Sequence, residues 1–133
     1  MREPYITWKD FYSVGCKELD HQHRLLLGIV NDLYEAVISN ADQQAVRAIL
    51  DRLVDYTAIH FSREEELMEE HRFPSLEAHK ILHNSLKTKT LQLRHNWTTA
   101  GRTEVLKYLK SWWLNHICQC DKEYTPFFMA QET

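Results

Sequence analysis

Apolar residues recur every three or four positions in four separate segments of the chain, and no other sequence feature constrains the fold as strongly. This spacing places apolar side chains along one face of a helix. The segments run from Leu19 to Val37, from Val46 to Leu67, from His79 to Trp97 and from Leu106 to Cys120. Because short links join them, successive helices are expected to be antiparallel. The sequence therefore predicts an all-α fold, an up-down-up-down antiparallel four-helix bundle with an extended N-terminal arm.

Capping residues and a proline separate the predicted helices. Asp42, Ser75 and Thr103 are the predicted N-caps of the second, third and fourth helices, because their side-chain oxygens can accept bonds from the first amides of a helix. Pro74 is predicted to end the second helix, since the residue before a proline is driven out of the helical region.

The length of 133 residues suits one domain. Within a single domain spanning 1–133, we expect an N-terminal arm at 1–17, the bundle at 18–125 and a C-terminal tail at 126–133. Gly and Pro number only three each, which argues against a loop-rich β fold.

Composition argues against several classes of protein. The formal charge of −3 gives no basic surplus for nucleic-acid binding. No apolar run approaches the roughly 20 residues of a membrane span, and the first residues lack the apolar core of a signal peptide. Three irregularly spaced cysteines provide no disulfide framework. We therefore expect a cytoplasmic protein with no nucleic-acid or membrane partner. We also expect a monomer, although no feature of the composition determines self-association.

Eight histidines in so short a chain require an explanation. Seven candidate metal ligands fall on or beside the predicted inner faces: His23, His60, Glu64, His79, His83, His116 and Asp121. His60 and Glu64 are one helical turn apart, so both side chains leave the same face. His79 and His83 repeat that geometry. A bundle builds metal sites from such inward-facing side chains on neighbouring helices.

Asp121 is the least regular member of this set. It follows His116 by five positions, which on a regular helix points roughly 140° away. The two can share a metal only if the helix ends, tightens or bulges between them.

The alternative for each histidine alone is a hydrogen-bonded core residue. Taken together, however, five imidazoles and two carboxylates without a ligand would leave several buried polar atoms uncompensated, each costing about 1–3 kcal/mol. The combination therefore favours metal binding.

Other polar residues favour structural roles. Exposure is predicted for the histidines off the inner faces, His21, His71 and His95. A solvated face is predicted for the acidic run Glu65, Glu66, Glu69 and Glu70. Cys118 and Cys120 could bind metal, but we favour small buried hydrophobes because the imidazoles already form a site.

Seven donors exceed the capacity of one ion in a small bundle. Two octahedral ions offer about twelve positions. Five imidazoles, two bridging carboxylates and a bridging oxo or hydroxo group would fill all but one of them. Oxidising di-iron bundles use mostly carboxylates, which stabilise high-valent iron. A set dominated by neutral imidazoles therefore favours reversible O₂ binding over oxidation, and a binding protein rather than an enzyme.

These residues resemble the hemerythrin family, in particular its single-domain bacterial members. The resemblance covers nearly the whole chain. It is carried by Trp8 with Ser13-Val14-Gly15, Asp20-His21-Gln22-His23, His60-Phe61-Ser62-Arg63-Glu64-Glu65 with Met68, Phe73-Pro74, His79, His83, Trp112, and His116-Ile117 through Asp121 to Tyr124.

The resemblance implies a division of the ligands between two iron ions. Three histidines, His79, His83 and His116, would hold one iron. His23 and His60 would hold the other, where O₂ would bind. Glu64 and Asp121 would bridge the two. An apolar O₂ pocket would be lined by Leu26, Phe61, Trp112, Ile117 and Tyr124, to which we add Trp113, which stands where the family usually has leucine.

Three functions remain open at this point. The first is O₂ transport, storage or delivery, with an O₂-consuming protein as an unidentified recipient. The second is an O₂ or redox sensor. The third is a di-iron oxidase or a scavenger of peroxide or NO. The imidazole-rich ligand set weighs against the third, and our prediction is the first.

Overall fold

Four helices form the body of the computed structural model, which describes residues 5–95 and 102–115. They are α1 (Lys17–Ile38), α2 (Gln43–Glu70), α3 (Leu76–His95) and α4 (Arg102–Asn115). Helix α1 packs against α2 and α4, and α2 packs against α3. The described ranges contain no β-strand. The predicted all-α four-helix bundle is therefore confirmed.

Helices α1 and α2 end in the same backbone motif. Asn40 and Arg72 adopt left-handed backbone conformations with φ of 56° and 55°. The amide of the next residue then reaches back to a carbonyl in the last turn, Ala41 N–H to Ala36 O at 2.9 Å and Phe73 N–H to Met68 O at 2.9 Å. These hydrogen bonds satisfy carbonyls that a helix end would otherwise leave free.

The predicted helix starts are right in one case and wrong in another. Asp42 caps α2 as expected, its Oδ1 accepting from the Ala45 amide at 2.8 Å. Thr103, by contrast, lies inside α4, which already includes Arg102. A threonine near a helix start does not identify the cap by sequence alone, since the preceding residue is equally able to enter the helix.

Two apolar clusters enclose one polar layer. The larger cluster includes the fully buried Leu26 of α1 and Phe61 of α2, and extends to Leu109 of α4. The smaller one includes Leu19 of α1 and Leu67 of α2. Between the two clusters the buried residue of α1 is His23 and that of α2 is Glu64, both members of the predicted site. The fold therefore places these polar groups between two layers of hydrocarbon.

The N-terminal arm is tied to α1 by side chains of that helix. The Ile6 amide donates to Asn31 Oδ1, and Asn31 Nδ2 donates to the Ile6 carbonyl, both at 2.8 Å. Further along, the Val14 amide donates to Asp20 Oδ1 at 2.8 Å, and the Arg24 guanidinium lies 4.5 Å from the Trp8 ring centroid. A short 3₁₀ helix at Asp10–Tyr12 interrupts the arm, and the residues on either side of it, Lys9 and Ser13, are extended.

Among the described helices, none has a stretch long and apolar enough to cross a membrane.

Candidate metal centre

Five of the seven predicted ligands come together in the polar layer. His23 projects from α1, His60 and Glu64 from α2, and His79 and His83 from α3, and all five are buried. The one-turn spacings on α2 and α3 turn both members of each pair inward. The three helices thus direct four imidazoles at one carboxylate.

The Glu64 carboxylate divides these imidazoles into two pairs. Its Oε2 lies 3.0 Å from His60 Nε2 and 3.6 Å from His23 Nε2. Its Oε1 lies 3.0 Å from His83 Nε2 and 3.5 Å from His79 Nε2. Each carboxylate oxygen therefore joins two imidazole nitrogens in a three-atom group whose members all lie within 4.8 Å of one another. Two adjacent cation sites sharing one bridging carboxylate would have this arrangement.

The electrostatics of Glu64 favour its ionised form. Burial alone would raise the pKa of this carboxyl. Contacts with the four surrounding imidazoles outweigh burial and hold the pKa of Glu64 well below its usual range. A fully buried carboxylate of this kind requires positive charge close by.

The hydrogen bonding of His60 tests whether a metal fits. His60 Nδ1 lies 2.7 Å from Gln22 Oε1. An amide oxygen only accepts, so Nδ1–H donates and a neutral His60 keeps its lone pair on Nε2. That lone pair faces Glu64 Oε2 at 3.0 Å. Two acceptors repel at this distance unless a proton or a metal cation lies beside them, and imidazole with carboxylate is a donor set that suits iron. The residues present therefore fit a shared cation.

Two residues that contact the outer nitrogens of the imidazoles were not predicted from the sequence to belong to the site. Gln22 accepts from His60, as described above. Glu65 was predicted on a solvated face, and that prediction is wrong: its side chain is only 18% exposed and its Oε2 lies 3.4 Å from His83 Nδ1. Its position beside Glu64 in an acidic run hid this role. Glu66, Glu69 and Glu70 are exposed as expected.

The apolar wall of the site is described in part. Leu26 and Phe61 are fully buried, and Phe61 stacks on His83. Trp112 and Trp113 lie in α4, but their side chains are outside the described part of the structure. The remaining predicted site residues and the two cysteines among them also lie outside the described residues: His116, Ile117, Cys118, Cys120, Asp121 and Tyr124. Their roles stay predictions.

The histidines away from the layer are partly as expected. His21 and His95 are exposed. His71 is half-buried rather than exposed, because its Nδ1 lies 2.9 Å from the Leu67 carbonyl at the end of α2.

Four buried imidazoles grouped around a carboxylate define a cation-binding four-helix bundle, and comparison with known proteins agrees. A family model described as the hemerythrin HHE cation binding domain matches residues 14–128. The chain belongs to the hemerythrin family.

Relatives and solved structures span most of the chain. A bacteriohemerythrin of Stenotrophomonas maltophilia is 35% identical over 122 residues, covering 90% of this chain and 78% of the relative. A hemerythrin-like protein of Naegleria gruberi is 31% identical over 119 residues, covering 90% of each. A crystal structure of wild-type hemerythrin superimposes with a TM-score of 0.83 at 26% identity, covering 93% of this chain and 98% of that one.

Proposed function

We propose that this protein binds O₂ reversibly at a di-iron centre and serves in O₂ transport, storage or delivery rather than as an enzyme. The observation that carries the proposal is the sharing of Glu64, with one carboxylate oxygen directed to each pair of imidazoles. Family membership and the bacteriohemerythrin relatives support it.

The proposed ligands are assigned by this geometry and by the family. His23 and His60 would hold one iron, and His79 and His83 the other. Glu64 would bridge them. His116 on the second iron and Asp121 as a second bridge complete the set as proposals from the sequence. When bound, the iron pair would supply two electrons, one from each ion, for reversible O₂ binding.

The side chains around the site would keep water away from it. Leu26 and Phe61 are fully buried and belong to the cluster that closes one side of the polar layer. A dry lining denies water and protons a route to a bound ligand. The prevalence of neutral imidazoles over carboxylates among the described donors further supports binding over substrate oxidation.

Iron content and O₂ cycling test the proposal. The protein, loaded anaerobically with ferrous iron, should hold two irons per chain and take up and release O₂ over repeated cycles. His60→Ala should lose iron, whereas His21→Ala, which removes an exposed imidazole, should retain it. One metal per chain, or O₂ consumed without release, would overturn the proposal.

A further inference from the structure

The two halves of the candidate centre differ in the side chain that contacts Nδ1 of an imidazole, the ring nitrogen that faces away from Glu64. Behind His60 lies a neutral amide, Gln22, with its Oε1 at 2.7 Å from Nδ1. Behind His83 lies a carboxylate, Glu65, with its Oε2 at 3.4 Å from Nδ1. In both histidines the opposite nitrogen, Nε2, lies 3.0 Å from the Glu64 carboxylate. Each outer residue therefore contacts the site through the far side of an imidazole.

We propose that Gln22 and Glu65 are positioning residues with unequal effects on the imidazoles they contact. Because of them, the imidazole ligands of the His83 half donate more electron density to their metal than those of the His60 half. The inference rests on the proposed di-iron function.

The physical basis is the charge of the acceptor. A ligand histidine that donates its second N–H to a carboxylate gains basicity at the metal-bound nitrogen, and the bond also fixes the ring orientation. A neutral amide orients the ring in the same way but adds less negative charge. A stronger donor stabilises the ferric over the ferrous ion, so the His83 half should be the harder to reduce.

The geometry allows Glu65 to act in this way. Hydrogen bonds from a ring N–H to an oxygen are usually about 2.9 Å long, so the Glu65 carboxylate needs a shift of roughly 0.5 Å to accept a full-strength hydrogen bond from His83 Nδ1. Its side chain is 18% exposed, which leaves the carboxylate partly shielded from water. Phe61 covers one face of the His83 ring and prevents it from turning away.

Exchange of the two acceptors tests the proposal. In the iron-loaded protein, Glu65→Gln should raise the midpoint reduction potential, and Gln22→Glu should lower it. Glu69→Gln removes the same charge from the same helix at an exposed position and serves as the matched control. Equal shifts for Glu65→Gln and Glu69→Gln would mean that only net charge matters, and would overturn the inference.

Cobalt(II) provides a readout that needs neither iron nor O₂. Loss of an outer acceptor usually weakens metal binding by about 10- to 100-fold. Glu65→Leu should therefore lower cobalt(II) affinity at least several-fold relative to Glu69→Leu, and Gln22→Leu should lower it while Gln22→Glu retains it. Unchanged cobalt(II) affinity in both Glu65→Leu and Gln22→Leu would overturn the inference. A failure of the unmodified protein to hold two irons would instead count against the proposed function.

Discussion

The aromatic ring of Phe61 lies flat against the imidazole of His83, with ring centroids 3.8 Å apart and planes within 1° of parallel. Phe61 is fully buried and also contacts the neighbouring His60, with centroids 5.7 Å apart. One phenyl ring thus supports an imidazole from each half of the candidate centre. Packing of this kind limits rotation of a ligand histidine and excludes water from its face.

Replacement of Phe61 should separate its structural role from its shielding role. Phe61→Ala should lower the free energy of unfolding by about 3–5 kcal/mol and accelerate autoxidation of the O₂-loaded protein, because water would enter the vacated volume. Leu33→Ala removes another fully buried side chain of the same core cluster and should destabilise by about 2–5 kcal/mol without faster autoxidation. Denaturant unfolding and optical decay of the O₂-bound form measure both effects. Equal autoxidation in the two variants would contradict a shielding role.

Glu64 should be the residue whose charge the metals need most. Glu64→Gln preserves its volume but replaces one carboxylate oxygen with an NH₂ group, which cannot ligate as an anion. We expect iron content well below two per chain, by elemental analysis, and loss of the rise in melting temperature that iron gives the unmodified protein, since metal-binding energy is also folding energy. Glu66→Gln, an exposed change two residues away, should retain both properties. Full iron content in Glu64→Gln would show that the carboxylate is not a bridge.

Asn31 should determine whether the arm stays on the bundle. Asn31→Ala removes both hydrogen bonds to the Ile6 backbone, and leaving such groups unsatisfied costs about 1–3 kcal/mol. Amide exchange at Ile6 should then become faster, measured by hydrogen–deuterium exchange, while exchange in the middle of α2 stays slow. Asn84→Ala, on the exposed side of α3, provides the control. Unchanged protection of Ile6 in Asn31→Ala would mean that other contacts hold the arm.

The Glu18–Arg63 ion pair between α1 and α2 should contribute a small, pH-dependent increment of stability. The Arg63 guanidinium binds both Glu18 oxygens, the Nη2–Oε1 distance being 3.1 Å, and this hydrogen bonding lowers the pKa of Glu18. A lowered folded-state pKa means that the contribution is present above the unfolded-state pKa and is lost as pH falls through the folded value. Both side chains are partly exposed, so screening keeps it to about 0.2–1 kcal/mol.

Double-mutant cycles at two pH values check this increment. At pH 7 the coupling energy between Glu18→Gln and Arg63→Gln should lie in that range, and it should vanish in strong acid and shrink in high salt. Glu69→Gln should show no coupling to Arg63→Gln beyond general charge effects. A coupling that persisted after Glu18 was protonated would contradict an ionic origin.

The sequence alone was sufficient to predict the helices and the inward orientation of most of the site. A three-to-four period identifies a buried face without knowledge of its partner, and one-turn spacing places His60 with Glu64 and His79 with His83 on such faces. These are local properties, because they depend on residues within a few positions of one another. Asp42 was likewise identifiable as a cap, because its bond to Ala45 spans only one turn.

Only the tertiary structure decided which side chains meet across helices. The pairing of His23 and His60 with one Glu64 oxygen, and of His79 and His83 with the other, depends on how far each helix slides along its neighbours. Gln22 and His60 are 38 residues apart in the chain, so no local spacing in the sequence could predict their contact. Glu65 illustrates the same limit: its helical position predicted solvent, and the approach of α3 placed it beside His83 instead. Faces follow from the period of a single helix, whereas contacts follow from the relative register of several.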